Sequence, residues 1–288
     1  MKKVIVTLLM GMGIICSGLK VNAQEFREHI SKEFTLSNEA SGATLFIYNI
    51  SGFIKVEGYA GNKVLLEMDK TIKADDDENL EIGKKEFRLA FGQENDSIIA
   101  YIASPYDSRP RRFRHNFDDR QEIEYDFNVD FTVKVPYNMN LHISTINEGI
   151  VSVENVSGIL HVSNVNDAIE IKNARGTTRA HTVNGDVTVN YLANPSEASS
   201  YQTINGNIRV SYQPDLSADL QFKSMHGDFF TDFPTAVLLP ASVTKVKEKK
   251  GNGMVYRLDA KTAVRFGSGG RTFKFETLNG NVYIKKQS

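Results

Sequence analysis

The chain has 288 residues, of which 41% are hydrophobic and 24% are charged, with 34 basic and 35 acidic side chains. A chain of this length can form one large domain or two modest ones around a real hydrophobic core. Its 21 Gly, 7 Pro and absence of Trp fit neither a collagen-like nor a disordered protein. The near-neutral charge argues against a nucleic-acid partner, since proteins that bind nucleic acids usually carry a strongly basic face.

Residues 1–23 have the pattern of a secretory signal peptide. Two lysines precede a short apolar run, and small residues follow just before Ala23. We expect cleavage between Ala23 and Gln24 and export to the periplasm or the cell surface. The apolar run is shorter than the roughly 20 residues of a membrane span, so we expect no transmembrane segment in the mature chain. The alternative is a lipoprotein acylated at Cys16, although Ile15 stands where that pathway requires a small residue.

Residues 24–136 are rich in alternating strand patterns but have no regular period. The patterns predict strands at 44–48, 53–57, 63–72, 86–91, 98–103 and 122–135. The acidic run at 75–78, followed by 79–85, predicts one short helix with acids in its first turn. We interpret this region as a cap, continuous with the part that follows, that covers strand edges which would otherwise be exposed.

A tetrapeptide that ends in Asn, or in His at position 226, recurs through residues 137–288. Its last residue falls at positions 147, 166, 184, 205, 226 and 279, which are separated by 19, 18, 21, 21 and 53 residues. A turn and a short alternating strand follow each position. A unit this small cannot bury its own apolar face, so it must stack on its neighbours. The sequence therefore predicts an all-β fold, a β-solenoid with coils of 18–21 residues and an irregular insertion at about 228–265.

The recurring asparagines predict a structural ladder at one corner of the stack. Each side-chain amide can donate a hydrogen bond to the amide of the next coil. The Asn-Gly pairs are turn signals, because both residues tolerate positive φ. We expect the aliphatic residue before each Asn to face the interior. The predicted ladder residues are Asn147, Asn166, Asn184, Asn205 and Asn279.

The repeated T-x-N-G-(D/N)-(V/I)-x-V pattern, the strand at 130–136 that ends in Pro136, and a closing Gly-rich stretch resemble the bacterial putative-adhesin domain family. The resemblance covers about residues 40–288 and is best over 129–212 and 267–285. It implies a right-handed, single-chain β-helix of an exported cell-envelope protein whose biochemical role is undefined. It brings no catalytic motif, and residues 228–265 depart from the repeat.

The segment from Tyr106 to His115 is the best binding candidate. Its arginines alternate with an aromatic residue and can grip an acidic glycan or lipid headgroups. The alternative is a mobile loop whose charge is neutralised by the acidic residues that follow. The candidate residues are Arg109, Arg111, Arg112, Phe113 and Arg114.

Other polar groups have both a functional and a structural interpretation. The acids at 75–78 can gather Ca²⁺ or simply begin a helix. His142 and His161 occupy equivalent positions and can hold a metal or line a surface. A row at one coil position can serve a carbohydrate-active enzyme or be required by the turns; it consists of Asp186, Asn207, Asp228 and Asn281. We expect no metal and no cofactor.

Two functions remain open. The first is a non-catalytic exported protein of the cell envelope that presents one face to a glycan or protein partner, since stacked folds offer long surfaces. The alternative is a carbohydrate-active β-helix enzyme that acts on an acidic polysaccharide. An enzyme requires a groove where acids and bases of perturbed pKa converge. We expect the chain not to be an enzyme.

Overall fold

The computed structural model describes residues 24–36, 40–110, 122–250 and 253–287. The predicted signal peptide and Cys16 lie outside these residues. The described part contains one α-helix, α1 (Asp77–Glu86), and a 3-10 helix at Ala40–Gly42. Its strands are β1 Gln24–Thr35, β2 Thr44–Tyr48, β3 Ile54–Tyr59, β4 Lys63–Ala74, β5 Arg88–Glu94, β6 Ser97–Ser104, β7 Tyr125–Pro136, β8 Asn140–Ser144, β9 Val151–Glu154, β10 Leu160–Ser163, β11 Ile169–Ala174, β12 Thr178–His181, β13 Val187–Tyr191, β14 Ser200–Gln202, β15 Ile208–Tyr212, β16 Ala218–Lys223, β17 Phe229–Thr231, β18 Val237–Lys250, β19 Gly253–Phe266, β20 Arg271–Glu276 and β21 Val282–Lys286.

The strands form two large mixed sheets. The first sheet has ten strands in the order β1-β4-β7-β3-β9-β11-β13-β15-β21-β17. The second has eleven, in the order β18-β19-β16-β20-β14-β12-β10-β8-β2-β6-β5. The prediction of an all-β fold is confirmed. The strand order does not by itself show the predicted β-solenoid, because the strands belong to two separate sheets.

From β8 to β17 the chain alternates between the two sheets, so that each pair of consecutive strands contributes one strand to each sheet. We call such a pair a rung; the rungs are β2–β3, β8–β9, β10–β11, β12–β13, β14–β15, β16–β17 and β20–β21. Neighbouring rungs pair in parallel, with Leu160 opposite both Leu141 and Thr178. Every second residue of a strand points inward, which places the aliphatic side chains between the sheets.

The stacking order of the rungs differs from their order along the chain. The last rung, β20–β21, lies between β14–β15 and β16–β17. Phe275 therefore stands opposite Tyr201 on one side and Phe222 on the other. The residues at 228–265 contain β17 and a long antiparallel hairpin, β18–β19, whose second strand pairs with β16. After this hairpin the chain returns, and β20–β21 occupies the position between β14–β15 and β16–β17.

The N-terminal residues extend both sheets beyond the rung β2–β3. Strands β6 and β7 pair in parallel with β2 and β3, and β5, β4 and β1 add in antiparallel outside them. The predicted strands and the helix are present with boundaries shifted by a few residues. The sequence patterns missed β1, in which only Phe26, Ile30 and Phe34, spaced by four residues, pack against the core. This spacing lacks the period of two that marks a half-buried strand.

Three tyrosines are fully buried between the sheets near the C-terminal end of the stack. The hydroxyls of Tyr191 and Tyr201 are 2.8 Å apart, and the Tyr212 hydroxyl donates to that of Tyr201 at 3.1 Å. The rings of Tyr191 and Tyr212 stack at 5.2 Å, and Tyr201 stacks on Phe275. Burial raises the pKa of all three phenols. The hydroxyls satisfy one another, as buried polar groups must.

Candidate functional site

The structure brings the five predicted ladder asparagines together at one corner of the stack. Each Nδ2 group donates to the Oδ1 atom of the asparagine on the neighbouring rung, so the amides form an unbroken chain. The bonds are Asn166 to Asn147 at 2.6 Å, Asn184 to Asn166 at 3.0 Å, Asn205 to Asn184 at 2.8 Å and Asn279 to Asn205 at 2.7 Å. Position 226, which carries His, lies beyond Asn279 in the stack.

Replacing Asn184 by Ala is expected to lower the free energy of unfolding by about 1 kcal/mol, because it removes one donated and one accepted hydrogen bond at a solvent-exposed site. Chemical denaturation of the purified variant measures the loss. Asn190→Ala is the matched control, since the side-chain amide of Asn190 has no hydrogen-bond partner among the described residues. Equal losses in both variants would show that the ladder does not stabilise the fold.

The aliphatic residue before each Asn does not face the interior, and that expectation is wrong. Met225 is 72% exposed and Ile204 is 39% exposed. The buried residue is the preceding one, usually Thr, whose hydroxyl donates to a backbone carbonyl at the corner, as from Thr203 to Gly185 at 2.8 Å. Because neighbouring side chains of an extended strand alternate in direction, the residue after a buried Thr points outward.

The glycines that follow Asn184 and Asn205 do not provide the positive φ that an Asn-Gly turn signal indicates. Gly185 and Gly206 do not have positive φ. A Cβ atom on Gly206 would lie 2.0 Å from the Gly185 carbonyl oxygen, and one on Gly185 would lie 2.3 Å from that of Asp167. These glycines therefore allow the backbones of adjacent rungs to approach, which a side chain would prevent.

In the row considered above as a candidate enzymatic site, the side chains accept backbone hydrogen bonds from the neighbouring rung. Asp186 Oδ1 accepts from the Asn207 amide at 2.7 Å, and Asn207 Oδ1 accepts from the Asn281 amide at 3.0 Å. Asn281 Oδ1 then accepts from the Asp228 amide at 2.8 Å. Asp186 also pairs with Arg209. These contacts support the interpretation that turn geometry requires the row.

The two candidate metal sites have structural contacts instead. Asp76 caps α1, with its Oδ1 atom accepting from the Asn79 amide at 2.7 Å. The rings of His142 and His161 meet edge to face at 5.5 Å. Within the described ranges, no three His, Cys, Asp or Glu side chains are grouped so that they could hold a metal ion.

A groove of about 770 Å³ lies on the outer face of the second sheet, where β5, β6 and β2 run side by side. Pairing places Gly92 opposite Ile99 and Ile99 opposite Phe46, so these residues form one row across the sheet. The next row is Ala90, Tyr101 and Tyr48. The small side chains on β5 leave the space that the aromatic rings border. We call this the aromatic groove, lined by Phe46, Tyr48, Gly92, Glu94, Ile99 and Arg109.

Of the five candidate binding residues, Arg109 alone lies within the described part of the chain; Arg111, Arg112, Phe113 and Arg114 lie outside it. Its guanidinium carbon is 4.2 Å from the centre of the Tyr101 ring, a cation–π contact. Its Nε and Nη2 atoms donate to the two carboxylate oxygens of Asp107 at 2.9 and 2.6 Å. This hydrogen-bonded pair raises the pKa of Arg109 and neutralises its charge.

Two imidazoles continue the aromatic groove along the same row of the sheet. The His142 ring lies 5.5 Å from Phe46 and 5.7 Å from Tyr48, and His161 follows on the next strand. Burial lowers the pKa of His142 from its ordinary value of 6.5. Burial, with Arg179 and His142 nearby, also lowers that of His161. Both shifts favour the neutral form of these two imidazoles.

Acidification is expected to destabilise the protein through the partly buried His142 imidazole. A histidine whose pKa is lower in the folded state binds fewer protons there than in the unfolded chain, so it costs stability as the pH falls below 6.5. We expect wild-type melting temperatures to fall relative to those of His142→Gln between pH 7 and pH 5. The pKa of His29 is raised by Asp69 and then Glu67, so His29→Gln should shift in the opposite direction. A pH-independent difference for His142→Gln would contradict this prediction.

A second depression, of about 700 Å³, lies at the start of the asparagine ladder, beside Asn147 and Asn166. Its polar groups bond one another, as where the Ser51 hydroxyl donates to Glu148 Oε2 at 3.2 Å. Glu148 has a φ of 57°, in a region that few non-glycine residues adopt. We favour the aromatic groove as the binding site because its aromatic rings border open space.

The sequence analysis missed Phe46, Tyr48, Ile99 and Tyr101 as site residues. Each belongs to an ordinary alternating strand, and only the pairing of β2 with β6 brings them together. The available signal was the outward-facing position of two aromatic residues on β2, opposite Ala90 and Gly92 across β6.

Comparison with known proteins finds no matching family model and no matching curated protein. Three solved structures are similar to the chain. A "putative cell adhesion protein" of Clostridium sporogenes has a TM-score of 0.42 and 10% identity, covering 91% of this chain and all of that one. A "putative adhesin" of Bacteroides fragilis has 0.36 and 11%, covering 90% and 97%. A "putative lipid binding protein" of Parabacteroides distasonis has 0.23 and 11%, with the same coverage.

These similarities are too low to carry an argument about function. No helix in the described part of the chain is both long enough and apolar enough to span a membrane.

Proposed function

We propose that this chain is a non-catalytic, adhesin-like protein of the cell envelope that binds a glycan or protein partner in the aromatic groove. The signal pattern of residues 1–23 supports export to the periplasm or cell surface. We also propose that the rungs wind as a right-handed β-solenoid. The parallel register of neighbouring rungs and the alternation of the chain between two sheets support this proposal.

The observation that carries the binding proposal is the aromatic groove itself. The partly exposed Phe46 ring and the buried Tyr48 ring border the cavity. Cavities of this size with apolar walls and a few polar groups are typical of ligand sites. Glu94 is the single carboxylate among the described residues that line it. The described lining thus offers no pair of carboxylates, which glycoside hydrolysis usually needs, and this supports a binding role over the enzymatic alternative.

Phe46→Ala is expected to reduce capture of the partner by about tenfold, because truncation of a central aromatic residue in a binding site removes much of the affinity. Immobilised protein is incubated with cell-envelope extract, and bound glycan and protein are quantified. Phe230→Ala is the control, since Phe230 is an exposed aromatic residue on the first sheet. Unchanged capture by Phe46→Ala would contradict a site in the groove.

A further inference from the structure

We propose that the occupant of the aromatic groove is a neutral glycan, recognised through the apolar faces of its pyranose rings rather than through acidic groups. This inference rests on the proposed binding function and narrows it to one class of ligand. It departs from the sequence-based expectation of an acidic partner, because Asp107 neutralises Arg109, the one cation among the described residues that line the groove.

The charge balance follows from the contacts of Arg109. Two of the three guanidinium nitrogen atoms donate to the Asp107 carboxylate. The third, Nη1, makes no hydrogen bond with the described residues. The pair is therefore neutral as a whole. Glu94, which forms no ion pair with the described residues, then leaves a negative charge on the rim. An acidic ligand would meet this carboxylate without an unpaired cation among the described lining residues, and like charges repel.

The shape of the groove suits sugar rings. Phe46 and Tyr48 lie two residues apart on β2, with ring centres 6.3 Å apart and planes tilted by 35°. The faces of aromatic rings carry partial negative charge, which attracts the weakly positive C–H groups on the face of a pyranose ring. Across β6, Ala90 and Gly92 leave room beside these rings.

The rim of the groove supplies hydrogen-bonding groups for hydroxyls. Glu94 accepts, the Ser97 hydroxyl both donates and accepts, and Arg109 Nη1 donates. A fatty acyl chain would cover these polar groups without replacing their hydrogen bonds to water, which is costly. The combination of an aromatic wall and a polar rim therefore favours a polyol over a lipid.

The test measures retention of the protein on two sets of immobilised hexasaccharides. The neutral set contains gluco-, xylo- and N-acetylglucosamine oligomers, and the acidic set contains galacturonate and mannuronate oligomers. We expect retention on at least one neutral probe, with an affinity that changes less than about twofold between 50 and 500 mM NaCl, because no counterions are released. Phe46→Ala and Gly92→Leu should each weaken it about tenfold.

Gly92→Leu tests the groove independently of any folding defect in Phe46→Ala, because it blocks the groove and leaves Phe46 in place. A Cβ atom at Gly92 would approach only the Ile99 Cγ2 methyl, at 3.1 Å, so the larger side chain fills the groove with a small local adjustment. Phe230→Ala should bind like wild type.

Asp107→Asn provides a gain-of-function test. It keeps an oxygen acceptor near the Arg109 amide but removes the negative charge that neutralises the guanidinium. We expect acidic probes to bind this variant severalfold more tightly than wild type at low salt, with the gain lost at high salt.

Three outcomes would overturn the inference; the first and third leave the proposed function intact, and the second would overturn its choice of partner as well. One is salt-sensitive retention on acidic probes alone, particularly if Arg111→Ala and Arg112→Ala abolish it. Another is retention on phosphatidylcholine vesicles but on no neutral sugar. A third is capture of an envelope protein that neutral hexasaccharides do not displace. Failure of Phe46→Ala and Gly92→Leu to reduce capture of any envelope component would instead overturn the proposed site.

Discussion

Gly206→Ala is expected to destabilise the protein by more than about 3 kcal/mol, the upper range for overpacked interiors. The new Cβ atom would lie 2.0 Å from the carbonyl oxygen and 2.6 Å from the carbonyl carbon of Gly185. Both atoms belong to the backbone and cannot rotate away. The rungs β12–β13 and β14–β15 would have to separate locally, which would stretch the bond between the Asn205 amide and the Val183 carbonyl, now 2.8 Å long.

Equilibrium denaturation in urea measures this effect, with circular dichroism as the probe of unfolding. Gly42→Ala is the matched control, because nothing lies within 4 Å of a Cβ atom at that exposed position. We expect the control to change the free energy of unfolding by less than about 0.5 kcal/mol. Similar stabilities for the two variants would mean that the rungs are not in such close contact.

Tyr201→Phe is the second substitution with a large expected effect, a loss of about 1–3 kcal/mol for a change of one oxygen atom. The Tyr201 hydroxyl accepts the hydrogen bond of Tyr212, which has no other hydrogen-bond partner among the described residues. Removing that acceptor leaves a buried donor unsatisfied. The Tyr191 hydroxyl, 2.8 Å from that of Tyr201, also loses this partner.

The double variant Tyr201→Phe, Tyr212→Phe separates this explanation from a simple loss of packing. It removes both the acceptor and the stranded donor, so we expect it to be no less stable than Tyr201→Phe alone. Additive losses in the double-mutant cycle would show that an unsatisfied hydroxyl is not the cause. Tyr283→Phe, at a partly exposed tyrosine on the first sheet, should have little effect.

Much of the fold was predictable from local patterns. The alternation in β2, β4 and β7 and the acids that begin α1 are strong signals that involve few residues. The recurring asparagines located the corner of the stack because stacked amides need the same residue at the same place. By contrast, no local pattern places β20–β21 inside the stack, since that position depends on pairing between residues more than 70 positions apart.

The candidate site was less predictable, for two physical reasons. The basic segment gave a strong signal of charge, but the sequence did not indicate that Asp107 would neutralise Arg109. The aromatic groove combines residues from β2, β5 and β6, and its cavity exists because Ala90 and Gly92 are small. Small residues such as Ala90 and Gly92 form no recognisable motif, so the cavity becomes visible only when the pairing of β5, β6 and β2 is known.

The position of β20–β21 constrains how the polypeptide can reach its final form during synthesis. Rungs β8–β9 to β14–β15 can assemble in the order in which the ribosome produces them. The next rung, β16–β17, cannot pair with the stack until residues 271–286 have been synthesised and have paired with β14–β15. Pairing across so long an interval is slow, so completion of the stack waits for β20–β21. A chain terminated before residue 271 would leave the edges of β14 and β15 unpaired and open to aggregation.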